Sequence, residues 1–154
     1  VLLAAALKIG SILGGAPEKD AQLLYDFGIK MGLAFQLQDD YLDVYGDPAV
    51  FGKKIGGDIL CNKKTFMLIT ALSLAEGEDK ETLLNWLRAT DYVAEEKIQS
   101  VTALYNKVGV PELCQARIDA YYKEGLELLD KVNVESSLKE ELKKFVCHLM
   151  DRKL

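Results

Sequence analysis

Three aspartates, Asp39, Asp40 and Asp43, stand inside the most apolar stretch of the chain, Gly32-Leu33-Ala34-Phe35-Gln36-Leu37-Gln38-Asp39-Asp40-Tyr41-Leu42-Asp43. Asp39 and Asp43 lie at i and i+4. On a helix that spacing puts their Cβ atoms roughly 6 Å apart on one face, where like charges repel by a few tenths of a kcal/mol even in water. Burial raises that cost severalfold. All three also sit in the last turns before Gly46, at the helix end whose dipole disfavours anions. Sequences break local rules together at functional sites, and a hard divalent cation is the readiest compensation for clustered carboxylates. Oxygen-only donors point to magnesium. The plainer alternative is a solvated acidic helix end, against which the apolar flanks argue.

Gly28, Gly32, Gln36, Asp39 or Asp40, and Asp43 recur at three- and four-residue steps. They share a face on which small residues give way to an amide and then to carboxylates, as in a slot with metal ligands at its mouth. From Gly46 a segment of different chemistry runs to Thr65, with four glycines and four lysines against only two acids. Glycines let backbone N–H groups approach a phosphate and lysines supply compact positive charge. Lys63-Lys64-Thr65 stands at a helix start, whose free N–H groups also favour anions. Neither GxxxxGK[ST] nor GxGxxG after a strand is present, so ATPase and dinucleotide readings fall. Carboxylates for a metal followed closely by lysines for phosphate predict a magnesium–diphosphate site.

The elements that must carry these residues are helices. The pattern predicts helices over about 2–13, 17–45, 64–75, 78–89, 91–108, 111–132 and 138–152, with residues 46–62 as an irregular loop. Gly14-Gly15 closes the first helix and Pro17 opens the second. The second is apolar around its circumference and is expected to be buried. Ser137-Leu138-Lys139-Glu140 has a capping-box pattern at the start of the last. Nine of the twelve glycines fall within the first 57 residues, so the chemistry is expected there.

With 154 residues, 49% apolar and 28% charged, the chain suits one compact domain and excludes a disordered or fibrous protein. A net charge of −5 gives no footprint for nucleic acid or an anionic membrane. No apolar run approaches a membrane span. Cys61, Cys114 and Cys147 are odd in number and far apart, which suits a reducing cytoplasm better than a disulfide framework. His148 is the only histidine and is read as a surface or structural residue. Trp86, Tyr105, Tyr121 and Tyr122 are read as packing residues.

The run GLAFQLQDDYLDVYGD, followed by GK, GGDI and NKKTF, resembles the C-terminal half of the trans-isoprenyl diphosphate synthases, which include farnesyl and geranylgeranyl diphosphate synthases. The motifs cover residues 1 to about 68; beyond them the likeness is one of plain helices. The resemblance implies an all-α class I isoprenoid (terpenoid) synthase bundle, here in part. It also implies a prenyltransferase that joins isopentenyl diphosphate head-to-tail to an allylic diphosphate through an allylic carbocation. Asp39, Asp40 and Asp43 match the second aspartate-rich motif. On that likeness Asp39 binds Mg²⁺ directly, and Asp40 and Asp43 act more through metal-bound waters. Phe35 and Gln36 match the pair that lines the pocket for the isoprenoid and the incoming five-carbon unit. Lys53 and Lys63 match the lysines that hold the allylic diphosphate. Asp58 stands at a conserved GxD position with a structural or a direct role, and Arg152 and Lys153 match a basic tail found in some members.

Members of that family are about twice as long and carry a first aspartate-rich motif upstream, whereas the only DDxxD here is Asp39 to Asp43. The chain is therefore expected to be the C-terminal portion of a single helical domain, inactive alone. It should be completed by the missing N-terminal half and to act as a homodimer. Leu33, Phe35 and Leu37 are expected to form an exposed cavity wall. Two other readings share the fold. A terpene cyclase would need an NSE-type metal triad, which is absent between Lys64 and Leu154. A silent subunit would have no reason to keep Asp39, Asp43, Lys53 and Lys63.

Overall fold

The computed structural model describes residues 1–47 and 55–150. Among these the regular structure is helical throughout: α1 (Leu2–Leu13), α2 (Glu18–Tyr45), α3 (Gly57–Leu60), α4 (Phe66–Leu74), α5 (Gly77–Arg88), α6 (Ala94–Lys107), α7 (Val110–Asp130) and α8 (Ser136–Met150). The chain forms two compact units, one of residues 1–38 and 117–150 and one of residues 39–47 and 55–116, with α2 and α7 contributing to both.

The first unit is held by apolar packing. Phe27, Met31, Leu129, Val132 and Val146 form its buried cluster, and Leu3, Leu7, Leu23, Leu24, Leu142 and Met150 pack on it. At Gly28 a Cβ would lie 2.6 Å from the Ala4 Cα, so only glycine permits this approach of α1 and α2. Gly15, at φ +80°, closes α1, and the Ala16 N–H reaches the Ser11 carbonyl at 2.9 Å. Buried Asp20 accepts the Asn133 N–H at 3.2 Å, tying the start of α2 to the turn after α7.

In the second unit α6 packs against α3, α4 and α5. Ile59, Met67, Leu68, Leu83, Val101, Leu104 and Tyr105 are buried there. Thr65 caps α4 by accepting the Leu68 N–H at 3.2 Å, so that helix begins at Phe66, two residues later than expected. The Trp86 indole donates to Ser100 Oγ at 2.7 Å and meets Tyr92 edge-on.

Three expectations change. The segment read as loop contains the single-turn helix α3, started by Gly56 at φ +84°. The capping box does not form: Ser137 lies inside α8 and its hydroxyl donates to Glu135 Oε2 at 3.4 Å, while Glu140 pairs with Lys143 at 3.3 Å. Finally, α2 is not buried all round. Leu33 is 42% exposed, Gln36 and Asp39 are exposed, and Phe35 and Leu37 are half-buried. Cys61, Cys114 and Cys147 are free thiols, and His148 is exposed on α8. Among the described residues no helix is long and apolar enough to cross a membrane.

Candidate functional site

The end of α2 presents its three carboxylates in three different ways, because successive helical residues point about 100° apart. Asp39 is exposed. Asp40 is buried, and its Oδ1 accepts from Lys63 Nζ at 2.9 Å. Asp43 is half-buried, and its Oδ2 accepts the backbone N–H of Asp58 at 2.8 Å. The Asp43 carbonyl takes the Gly56 N–H at 2.6 Å, so side chain and backbone together fasten α3 to the end of α2. A Cβ on Gly57 would stand 3.3 Å from Asp43 Oδ1, a tight fit that favours glycine.

Lys63 joins these parts. Its ammonium also donates to Asp58 Oδ2 at 2.7 Å, so two of its three N–H donors meet carboxylates from two different elements. Its backbone N–H reaches the Asp58 carbonyl at 2.9 Å, closing the turn after α3. The hydrogen bonds to Asp58 and Asp40 raise the Lys63 pKa above the ordinary lysine value, so it stays charged throughout the physiological range. With 45% of its side chain exposed, it remains reachable by a ligand.

Burial raises the Asp43 carboxyl above the ordinary aspartate range, and the charges of Asp58 and Asp39 push the same way. The Asp58 N–H and the Lys63 ammonium oppose them. This is an electrostatically loaded helix end whose acids are partly offset by one shared cation.

Among the described residues no group of three His, Cys, Asp or Glu side chains is placed to hold a metal ion, so the aspartate trio is no ready-made cage. The donor set fits magnesium in another way. That ion keeps several waters and is commonly bound by one or two carboxylates plus the phosphate oxygens of its ligand. Asp39 and Asp43, one helical turn apart, offer such a partial set.

Phe35 lines an apolar cavity of about 210 Å³ in the first unit, together with Leu3, Met31, Gly32, Val146, Leu149 and Met150. In the same unit Gln38 donates to the Met150 carbonyl at 2.7 Å. Lys53, Arg152 and Lys153 lie outside the described residues. Reasoning from sequence missed Asn62 and Lys97. Lys97 is fully buried and donates to Asn62 Oδ1 at 2.8 Å, and Asn62 takes φ +51° immediately before Lys63. An asparagine between a short helix and a lysine pair was the available signal, since asparagine tolerates the left-handed region.

The family described as polyprenyl synthetase matches residues 1–106. The chain is 36% identical to a short chain isoprenyl diphosphate synthase of Methanothermobacter thermautotrophicus, over 89% of this chain and 42% of that protein. Its fold superposes on the crystal structure of a geranylgeranyl pyrophosphate synthase with a TM-score of 0.89 and 35% identity, over 100% of this chain and 48% of that one. A Corynebacterium glutamicum geranylgeranyl pyrophosphate synthase, solved with isoprenyl diphosphate and magnesium, gives a TM-score of 0.79 at 30% identity. That match covers 90% of this chain and 39% of that one. The fold is the all-α one of the isoprenoid synthases. This chain belongs to the polyprenyl synthetase family, and it spans less than half the length of each of these three proteins.

Proposed function

We propose that this chain supplies the second aspartate-rich half of a prenyltransferase active site. The whole enzyme joins isopentenyl diphosphate head-to-tail to an allylic diphosphate of five to fifteen carbons, releasing pyrophosphate in isoprenoid biosynthesis. The observation that carries this reading is the Asp40–Lys63–Asp58 network at the end of α2. It holds a cation against Asp40, the sequence neighbour of the exposed Asp39, in a chain of this family.

Magnesium, when bound, supplies positive charge that stabilises the diphosphate as it leaves. Asp39 would hold the ion directly, and Asp40 and Asp43 would act through its waters. Lys63, held charged by its two carboxylates, donates to the diphosphate oxygens together with Lys53. The allylic C–O bond breaks with its electron pair going to the diphosphate, and the double bond of isopentenyl diphosphate attacks the resulting cation. A proton then passes to the released pyrophosphate. Phe35 and Gln36 line the place of the reacting carbons, where excluding water keeps the cation from being quenched.

In this reading the chain works with a segment that carries a first aspartate-rich motif, as a cytoplasmic homodimer. The extra length of the relatives and the exposed Ile9, Ile12, Leu13 and Leu33 support the need for further covering surface. The test is an assay of the full polypeptide containing these residues, with Mg²⁺, isopentenyl diphosphate and five-, ten- or fifteen-carbon allylic diphosphates. Elongation by five-carbon units with stoichiometric pyrophosphate release is expected. Mg²⁺-dependent diphosphate binding without turnover would instead make the protein a silent subunit or a cyclase.

A further inference from the structure

Lys97 is the one charged side chain among the largest fully buried residues described, and no carboxylate among the described residues pairs with it. Removing an ammonium from water is costly unless it gains strong partners. Its partners here are neutral. Nζ donates to Asn62 Oδ1 at 2.8 Å and lies 4.4 Å from the centroid of the Tyr92 ring, within cation–π range. Both partners are fastened in turn: Asn62 Nδ2 donates to the Leu87 carbonyl at 3.0 Å, and the Tyr92 hydroxyl donates to the Leu60 carbonyl at 3.2 Å.

All of these bonds converge on one short stretch, residues 60–63. Asn62 is the only non-glycine with positive φ among the described residues, and it immediately precedes Lys63. That backbone conformation is disfavoured for residues that carry a Cβ, less for asparagine than for most, and it persists where the surroundings over-determine it. Lys97 grips the Asn62 side chain on one oxygen while Leu87 takes its amide. The direction in which the chain leaves Asn62 decides where the Lys63 ammonium stands relative to Asp40 and Asp58.

We propose that Lys97 is a positioning residue for Lys63. Its buried ammonium clamps Asn62 in the left-handed conformation, and the clamped turn aims Lys63 at the carboxylates and at an anionic ligand. The clamp follows from geometry alone; its consequence for diphosphate binding rests on the functional reading above. A buried cation with neutral partners suits this work, because it holds an amide oxygen without competing for the carboxylates that Lys63 needs.

Glycine adopts positive φ at little cost, so the idea makes a specific claim about rescue. Lys97→Met keeps the side-chain bulk and removes the charge. It is expected to speed hydrogen exchange of the Lys63 amide, which donates to the Asp58 carbonyl, about tenfold relative to α6 amides remote from the substitution. Adding Asn62→Gly should return that ratio to within about threefold of the unmodified protein, whereas general loss of packing would not be repaired. If Lys97→Met does not fold, Asn62→Ala carries the same expectation, since it removes the acceptor and leaves a strained φ. Unchanged exchange in a folded Lys97→Met, or an Asn62→Gly/Lys97→Met protein no better than Lys97→Met, overturns the proposal.

Titration with inorganic pyrophosphate and Mg²⁺ separates the two claims. Affinity should fall about tenfold in Lys97→Met and recover in the double variant. Exchange behaving as expected in a protein that binds no pyrophosphate would overturn the functional reading and keep the clamp.

Discussion

Lys63 and Lys97 serve the same turn and are held by opposite means. Lys63 has 45% of its side chain exposed and meets two carboxylates, whereas Lys97 is fully buried and meets an amide oxygen and an aromatic ring. The first arrangement suits a cation that must exchange partners. Carboxylates hold it charged until another anion arrives, and contact with water lets that anion in. The second suits a cation that never leaves, because neutral partners cost no repulsion and the walls admit no competitor. The half-exposed region is thus built from anions and a reachable cation, and the buried region from one enclosed charge.

On the proposed function, the largest expected break in this contrast is Asp39→Ala in the polypeptide assayed for prenyl transfer. Turnover should fall at least about a hundredfold, with little loss of stability, because the substitution removes an exposed, repelled carboxylate rather than a packed group. Steady-state rates at saturating Mg²⁺ together with a denaturation midpoint check both halves of that statement.

Next comes Lys63→Met, which removes a charged donor from the ligand side and leaves buried Asp40 without its ammonium. Pyrophosphate affinity should fall roughly tenfold to a hundredfold, in line with a charge-assisted hydrogen bond. The folding midpoint should also drop, since buried Asp40 loses its charge-assisted hydrogen bond from Lys63. Calorimetric titration and urea unfolding of the same preparation read the two effects separately.

A smaller effect concerns Cys114, whose thiol is pushed up to about 11, chiefly by burial and further by the charge of Asp40. Well below pH 9 the thiol is protonated in folded and unfolded chains alike. Between about pH 9 and pH 11 the unfolded chain has lost a proton that the folded chain keeps, so stability should fall as pH rises through that window. Alkylation at pH 8.5 should accordingly modify exposed Cys61 and Cys147 and spare Cys114 until the protein unfolds. Mass spectrometry of peptides after brief exposure to iodoacetamide gives the order of modification. Smallest of all is Lys144→Ala, which removes an ion pair to Glu141 with both partners exposed and should leave the urea midpoint unchanged.

Much of the scaffold was readable in advance because helix signals are local. Gly14-Gly15, Pro17 and Gly46 bracket the first two helices within a residue or so of where they lie. The acidic end of α2 stood out because three carboxylates in an apolar helix conflict with several rules together. What stayed hidden depends on neighbours distant in sequence. The three aspartates look alike as letters, yet Asp40 is buried against Lys63, twenty-three residues on, while Asp39 is exposed. Nothing in the sequence singles out Lys97, and it is the packing of α6 against α3 to α5 that encloses it. Ser137 failed as a cap because α8 starts ahead of it. The short helix α3 is too brief to show a period, and Asp43, fifteen residues earlier, anchors it through the Asp58 N–H.

The central claim is that the end of α2 and Lys63 together bind a magnesium–diphosphate unit. Calorimetric titration of inorganic pyrophosphate into the protein, with and without Mg²⁺, for the unmodified sequence and for Asp39→Ala, tests it most directly. The account predicts saturable binding that requires Mg²⁺ and is lost in Asp39→Ala. Binding that is indifferent to Mg²⁺, or that survives Asp39→Ala unchanged, would contradict it.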